Sequence, residues 1–191
     1  MTITAPLAAA TLIRQESMEL AESIRARLDV DAELIGSVEV VFPGYINITF
    51  TPLFFAEGLR HIAGRLDGPS DGQPLPASYP TGPSLRLAHA RLAGLLRHAD
   101  QLQIPVRLAC DMSPLLAFGD DCELARRVTT FTESRRNPAR LVLNPRAHDT
   151  LALAVERFYY GSRVIASEPM LRDARLALAG ITARVIEESP M

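Results

Sequence analysis

The chain has 191 residues, 48% hydrophobic and 22% charged, with a formal net charge of -2. This balance supports a buried core and excludes a disordered chain, and the weak net charge argues against a strongly basic nucleic-acid-binding protein. No apolar run approaches the ~20 residues that span a bilayer. Two cysteines and four unclustered histidines predict neither a disulfide scaffold nor a metal site, so we expect a reduced, cytoplasmic protein without cofactor or membrane contact.

Residues 1–67 predict a small α/β unit. The opening "MTITAPLAAATLI" has no positive charge before Arg14 and indicates a loose tail rather than a secretion signal. A helix follows in "ESMELAESIRARL", and "SVEVVFPGYINITF" alternates in two runs around a Pro43-Gly44 turn, which predicts two half-buried strands. The alternating apolar residues, which are expected to face inward, are Val38, Val40 and Phe42, then Ile46, Ile48 and Phe50. Thr51 and Pro52 suit the start of a helix that runs to about Leu66.

Residues 68–83 contain five prolines and three glycines, which can hold neither a helix nor a central strand and predict a linker. The charge changes sign across it. Residues 1–83 carry 5 arginines and 10 acidic residues, whereas residues 84–191 carry 15 arginines and 12 acidic residues. Because the linker composition and the change in charge occur at the same place, the sequence predicts two domains.

Residues 84–191 predict an antiparallel helical bundle. The first helix, "SLRLAHARLAGLLRHA", has an apolar arc made of Leu85, Ala88, Leu92, Leu95, Leu96 and Ala99. His89, at the edge of this arc, is expected to be packed or hydrogen-bonded. Further helices are predicted at about 123–135, from the Asn144-Pro145 start through residue 165, and from residue 170 onward. The overall class is mainly α.

Motifs for phosphate loops, serine nucleophiles and zinc proteases are absent from the sequence. Asp120, Asp121 and Glu123 are interpreted as a solvated helix start. All twenty basic residues are arginine. The pairs Arg126-Arg127 and Arg135-Arg136 are interpreted either as a solvated helix face or as contacts to a phosphate backbone. Tyr160 lies near Glu156 and Arg163, where it either stacks an unpaired base or is an ordinary surface residue.

Four stretches in order resemble arginyl-tRNA synthetases. "ELAESIRARL" with "VEVVFPGYINITF" is similar to the end of that family's N-terminal additional domain. "LRLAHARLAGLLRHA" resembles the first helix of its DALR-type anticodon-binding domain, "ERFYYGSRVI" its FxxFYxxxxVL segment, and "ARLALAGITARVIEESPM" its final helix. The resemblance covers residues 19–60 and 84–191 and implies that the second domain is the family's helical anticodon-binding domain.

The resemblance also implies that a part is missing. The family's catalytic domain, with HIGH-type and KMSK-type motifs, would lie where this chain has the proline-rich linker. No second histidine pairs with His61, and a chain without lysine lacks the KMSK lysine. No catalytic residue and no aminoacylation are therefore expected, since nothing is left to hold ATP phosphates in the transition state.

The resemblance implies RNA contacts in both domains. They are Tyr160, Arg163, Arg175 and Met191, the weaker backbone contacts Arg86, Arg91 and Arg97, and Tyr45 and Asn47 at the strand turn. The leading hypothesis is a non-catalytic, stand-alone relative that binds tRNA or another structured RNA. The alternatives are a protein-interaction module that has lost RNA binding, and an accessory subunit whose protein partner is a synthetase or a tRNA-dependent transferase.

Overall fold

The structure, a computed structural model, describes residues 2–13, 15–66, 83–136 and 146–188. The chain divides into two compact units, Met1–Phe54 and Phe55–Met191. The predicted linker lies outside the described residues except for its last position. Each unit has its own hydrophobic core.

The first unit is a small α/β fold. Its elements are β1 (Thr2–Ile3), α1 (Ala5–Ile13), α2 (Ser17–Arg27), β2 (Ile35–Val41) and β3 (Tyr45–Phe50). The sheet is antiparallel with the order β1-β3-β2, so β3 is central. Ile46 and Ile48 of β3 are buried together with Ala21 of α2, which confirms the predicted helix and strand pair.

The prediction of a loose N-terminal tail is wrong. Ile3 pairs with Ile46, and Ala10 of α1 is buried. The central strand offers a second edge whose backbone groups need partners, and the short strand β1 supplies them. The apolar opening of the sequence therefore serves the fold of the first unit.

The turn between β2 and β3 depends on Gly44. This residue has a φ of 139°, and a Cβ atom there would lie 2.7 Å from the carbonyl oxygen of Ser17. The Ser17 hydroxyl donates a hydrogen bond to the Pro43 carbonyl, which ties the turn to α2. The predicted inward position of Phe42 is wrong: β2 ends at Val41, and Phe42 is 84% exposed in the turn.

The second unit is helical. Its elements are α3 (Pro52–Ala63), which begins in the first unit, α4 (Pro83–Gln101), a 3-10 helix (Ser113–Ala117), α5 (Gly119–Arg136), α6 (Ala147–Gly161) and α7 (Pro169–Glu187). The Phe54 N–H donates to the Thr51 hydroxyl at 3.4 Å, so the predicted start of α3 is confirmed. The sequence places all of α3 in the first domain, but Leu59 and Ile62 are buried in the core of the second unit.

Two contacts show that α4 and α6 run parallel. Ser84 meets Asp149 at 3.4 Å near the start of both helices, and Arg91 meets Glu156 at 3.2 Å two turns further along. Both pairs are separated by 65 positions. A helical bundle is confirmed. Helices that lie two apart in the chain run parallel in an up-and-down bundle, so this pair fits the predicted antiparallel arrangement.

The helix α5 runs antiparallel to α6. Near its start, Asp121 meets Ser162 just beyond the end of α6, and further along Phe131 meets His148 near the start of α6. The predicted Asn144-Pro145 start lies outside the described residues. The helix α5 begins at Gly119, earlier than predicted, because Asp120 and Asp121 form its first turn.

The core of the second unit is built around α4 and α7. The apolar arc of α4 is confirmed, since five of its six residues are buried and Leu95 packs against them. From Ala174 to Ile186, every residue of α7 except Arg184 is buried. A helix that is buried on nearly every side is apolar all around. Its backbone polar groups are paired within the helix, and its few polar side chains need partners on neighbouring elements.

Candidate nucleic-acid interface

An exposed tyrosine on α6 is held by an arginine on α4. The guanidinium carbon of Arg91 lies 5.1 Å from the centre of the Tyr160 ring and 6.0 Å from that of Tyr159. Arg91 Nη2 donates to the Tyr160 hydroxyl at 3.1 Å, and Nη1 donates to Glu156 Oε1 at 3.2 Å. Tyr160 is 69% exposed and meets Tyr159 edge to face.

This geometry results from the parallel packing of α4 and α6. Glu156 and Tyr160 are four residues apart, so both project from one side of α6. Arg91 lies beside them on the adjacent helix and contacts both. The ring is thereby fixed at its hydroxyl edge while most of its surface stays open to solvent. We refer to Arg91, Glu156 and Tyr160 as the tyrosine platform.

Arg163 lies just beyond the end of α6, in the loop 162–168 that leads to α7. Its side chain is exposed and makes no hydrogen bond or ion pair with the described part of the chain. Its backbone carbonyl accepts a hydrogen bond from the Ser167 hydroxyl at 2.7 Å. The cation is available to a polyanion while its backbone is held.

Arg175 lies inside the second unit rather than on its surface. Only 6% of the residue is exposed, and Nε donates to Asp121 Oδ2 at 2.8 Å. Nη1 donates to the Ser167 hydroxyl at 2.7 Å, and the guanidinium carbon lies 4.7 Å from the centre of the Phe118 ring. We therefore leave Arg175 out of the surface proposed to meet RNA.

Comparison with known families identifies both parts of the chain. The profile of the DALR anticodon binding domain matches residues 85–189, more than half of the sequence. The chain belongs to the DALR family. The profile of the arginyl tRNA synthetase N terminal domain matches residues 1–50, so this DALR protein combines the two segments that the resemblance predicted.

Two curated relatives of this DALR protein are arginine–tRNA ligases. The one from Solidesulfovibrio magneticus is 38% identical over 86 residues, which are 40% of this chain and 15% of the relative. The one from Clostridioides difficile is 32% identical over 114 residues, which are 57% of this chain and 19% of the relative. The chain thus spans less than a fifth of either relative's length. No solved structure matches it significantly.

The remaining arginines named for the DALR domain lie on α4. Arg86 is half-buried and Arg97 is exposed, and both already have partners within the protein. Ala93, between them on the same face, is completely buried. The face that these arginines flank therefore does not form one continuous open surface with Arg91, which points toward α6.

Tyr45 and Asn47 lie on β3 of the first unit. Asn47 Oδ1 accepts a hydrogen bond from the Thr2 hydroxyl at 2.8 Å, and Tyr45 is half-buried opposite Val41. RNA contacts at these two positions remain a proposal. Met191 lies outside the described residues, as do the side chains of Arg135 and Arg136.

The other basic pair of the sequence is neutralised locally. Arg126 and Arg127 both donate to Glu123 Oε1 at 2.7 Å. Hydrogen bonding from Arg126 is the main reason why the pKa of Glu123 lies below its usual value, and Arg127 adds to the shift. This local ion pairing fits the interpretation of a solvated helix face.

Two buried polar residues of the second unit, His89 and Asp121, differ in how well the sequence predicted them. His89 is completely buried with Nε2 2.9 Å from Glu187 Oε1, which confirms a hydrogen-bonded core histidine. Asp121, interpreted as solvated, is completely buried and bound to Arg175. Its partner is 54 residues away, so no local pattern could have revealed the pairing.

Within the described ranges, no three metal-binding side chains cluster together. Among the described helices, none combines the length and the apolar character that crossing a membrane requires.

Proposed function

We propose that this DALR protein binds tRNA or another structured RNA and does not itself activate an amino acid. The observation that carries the proposal is the tyrosine platform with the open cation of Arg163 three residues beyond it. Proteins bind single-stranded RNA loops through exposed aromatic rings, on which bases stack, combined with exposed positive charge, which contacts phosphates.

Each member of the site has a distinct role in this proposal. Tyr160 stacks an unpaired base, an interaction worth about 1–3 kcal/mol per base. Arg91 fixes the ring before RNA arrives, so that less rotamer freedom is lost on binding. Arg163 contacts a phosphate, for which a guanidinium is well suited because its N–H groups match two oxygens.

The proposal of a non-catalytic role has separate support. The profile matches leave only residues 51–84 between the two domains. That interval is far too short for a nucleotide-binding fold of typical domain size. The sequence also contains no lysine that could take the part of the KMSK lysine.

Variants of the complete chain test RNA binding. Tyr160→Ala should weaken the binding of unfractionated tRNA by about 1–3 kcal/mol, because one stacked base loses its platform. Arg163→Ala should weaken it by about 1 kcal/mol, because one charge-assisted contact disappears. Fluorescence anisotropy with labelled tRNA at constant salt measures both changes.

Arg107→Ala is the matched control. Arg107 is exposed in the segment after α4 and, like Arg163, has no ion pair with the described residues. Its removal should change the affinity less than twofold if binding is localised at the platform. Equal losses for Arg107→Ala and Arg163→Ala, or an unchanged affinity of Tyr160→Ala, would contradict the proposed site.

Two exposed leucines favour a protein-docking role as the second candidate function. Leu87 is 53% exposed and Leu153 is 49% exposed. Leu87 lies between Ser84 and Arg91 on α4, and Leu153 occupies the corresponding turn of α6. In the same assay, a complete absence of tRNA binding at low salt would favour this candidate over RNA.

A further inference from the structure

A buried polar network holds the loop that carries Arg163. The loop 162–168 is tied to α5 at its first residue, since the Ser162 hydroxyl donates to Asp121 Oδ1 at 2.7 Å. Near its other end, the Ser167 hydroxyl accepts from Arg175 Nη1 at 2.7 Å. Arg175 in turn donates to Asp121 Oδ2 at 2.8 Å, so one carboxylate anchors both ends of the loop.

Ser167 connects this network to Arg163 directly. Its hydroxyl accepts from Arg175 and donates to the Arg163 carbonyl, both at 2.7 Å. The Asp121 side chain is completely buried and that of Arg175 is 8% exposed, so water cannot easily compete for these bonds. The backbone of Arg163 is fixed even though its side chain projects into solvent.

We propose that Asp121, Arg175 and Ser167 are positioning residues that hold Arg163 in the orientation in which it meets RNA. This inference rests on the proposed function. It also gives Arg175 a role in binding without contact with the ligand. The guanidinium of Arg175 acts through Ser167 on the backbone of Arg163.

The physical basis is preorganisation. A long cationic side chain on a mobile loop loses backbone and rotamer freedom when it binds, and that loss offsets part of the contact energy. A buried ion pair adds little net stability compared with apolar packing, but it does restrict the conformations available to the groups it joins. Holding the loop before binding therefore increases affinity without any further contact with RNA.

Ser167 is the best position for a test, because removing its hydroxyl leaves the buried Asp121–Arg175 pair in place. Ser167→Ala should weaken tRNA binding about three- to tenfold, because part of the backbone ordering around Arg163 would then have to take place on binding. Ser167→Thr keeps a hydroxyl and should restore most of the affinity. Ser134→Ala is the matched control, since that hydroxyl also donates to the carbonyl four residues earlier, at 2.9 Å.

A double-mutant cycle separates positioning from general destabilisation. In the Arg163→Ala background, Ser167→Ala should cause no further loss of affinity, because the group that it positions is already gone. Equal losses in both backgrounds would overturn the inference. So would a Ser167→Ala variant that binds as tightly as the parent chain.

Amide hydrogen exchange of the RNA-free chain gives a readout that does not depend on binding. Residues 163–167 should exchange faster in Ser167→Ala than in the parent chain, while Ser134→Ala leaves them unchanged. Unchanged exchange in the loop would overturn the inference. If tRNA binds and depends on Tyr160 but not on Arg163, the inference fails and the proposed function stands; if the parent chain binds no tRNA, both fail.

Discussion

At the scale of single residues, burial controls the chemistry of the Cys110 thiol. Burial raises its pKa from 9.0 to about 11, and the negative charges of Asp173 and Asp111 add to the shift. Only the unfolded chain therefore loses this proton between pH 9 and pH 11. The stabilisation is present below pH 9 and is lost as the pH rises toward 11.

The Cys110→Ser variant measures this contribution. Relative to the variant, the parent chain should lose about 1–2 kcal/mol of its free energy of unfolding between pH 8 and pH 11, after allowance for solvent screening of a half-buried group. Chemical denaturation at several pH values gives both curves. Parallel curves would show that the thiol titrates alike in the folded and unfolded chains.

Residue identity alone does not distinguish the roles of the arginines. The resemblance implies an RNA contact for both Arg163 and Arg175. One is open to solvent and the other is bound to a buried carboxylate that lies 54 positions earlier in the chain. Which role an arginine takes depends on a long-range partner that neither spacing nor composition encodes.

At the scale of elements, the turn between β2 and β3 depends on one glycine. Gly44→Ala places a Cβ where φ is 139° and the Ser17 carbonyl oxygen is 2.7 Å away. Since backbone would have to move, the β2–β3 hairpin should lose about 2–4 kcal/mol of stability. Amide exchange of β2 and β3 reports this loss.

Gly36→Ala is the control for this turn. A Cβ there meets the Thr49 carbonyl oxygen at 3.5 Å, an ordinary contact distance. Its effect on exchange should be much smaller than that of Gly44→Ala. Similar losses of protection in the two variants would mean that the turn conformation does not limit the stability of the hairpin.

Elements with a strong period were predictable from sequence, whereas the side-chain pairs between distant elements were not. Alternation located Ile46 and Ile48, and the helical period located the buried arc of α4. The weakly patterned opening concealed β1 and α1, and β1 forms because β3 has an edge to pair. The alternating direction of the bundle helices follows from short connections, but a pair such as Asp121 and Arg175 joins distant segments, and no local pattern contains that information.

At the scale of the whole molecule, the charge balance is uneven along the chain. Residues 1–83 are acidic overall, while residues 84–191 carry three more arginines than acidic residues. Many of these arginines are already paired within the second unit, so the net excess is not the quantity that sets RNA affinity. Within the described residues, binding should depend on the cations that remain open, Arg163 first among them.

The salt dependence of tRNA binding by the complete chain tests directly whether these open cations set the affinity for RNA. The logarithm of the association constant should fall linearly with the logarithm of the salt concentration, because bound counterions are released from the phosphates. Arg163→Ala should reduce the magnitude of that slope by about one, and Arg107→Ala should leave it unchanged. Absence of binding at about 50 mM salt, or an identical slope for the parent chain and Arg163→Ala, would contradict RNA recognition through this surface.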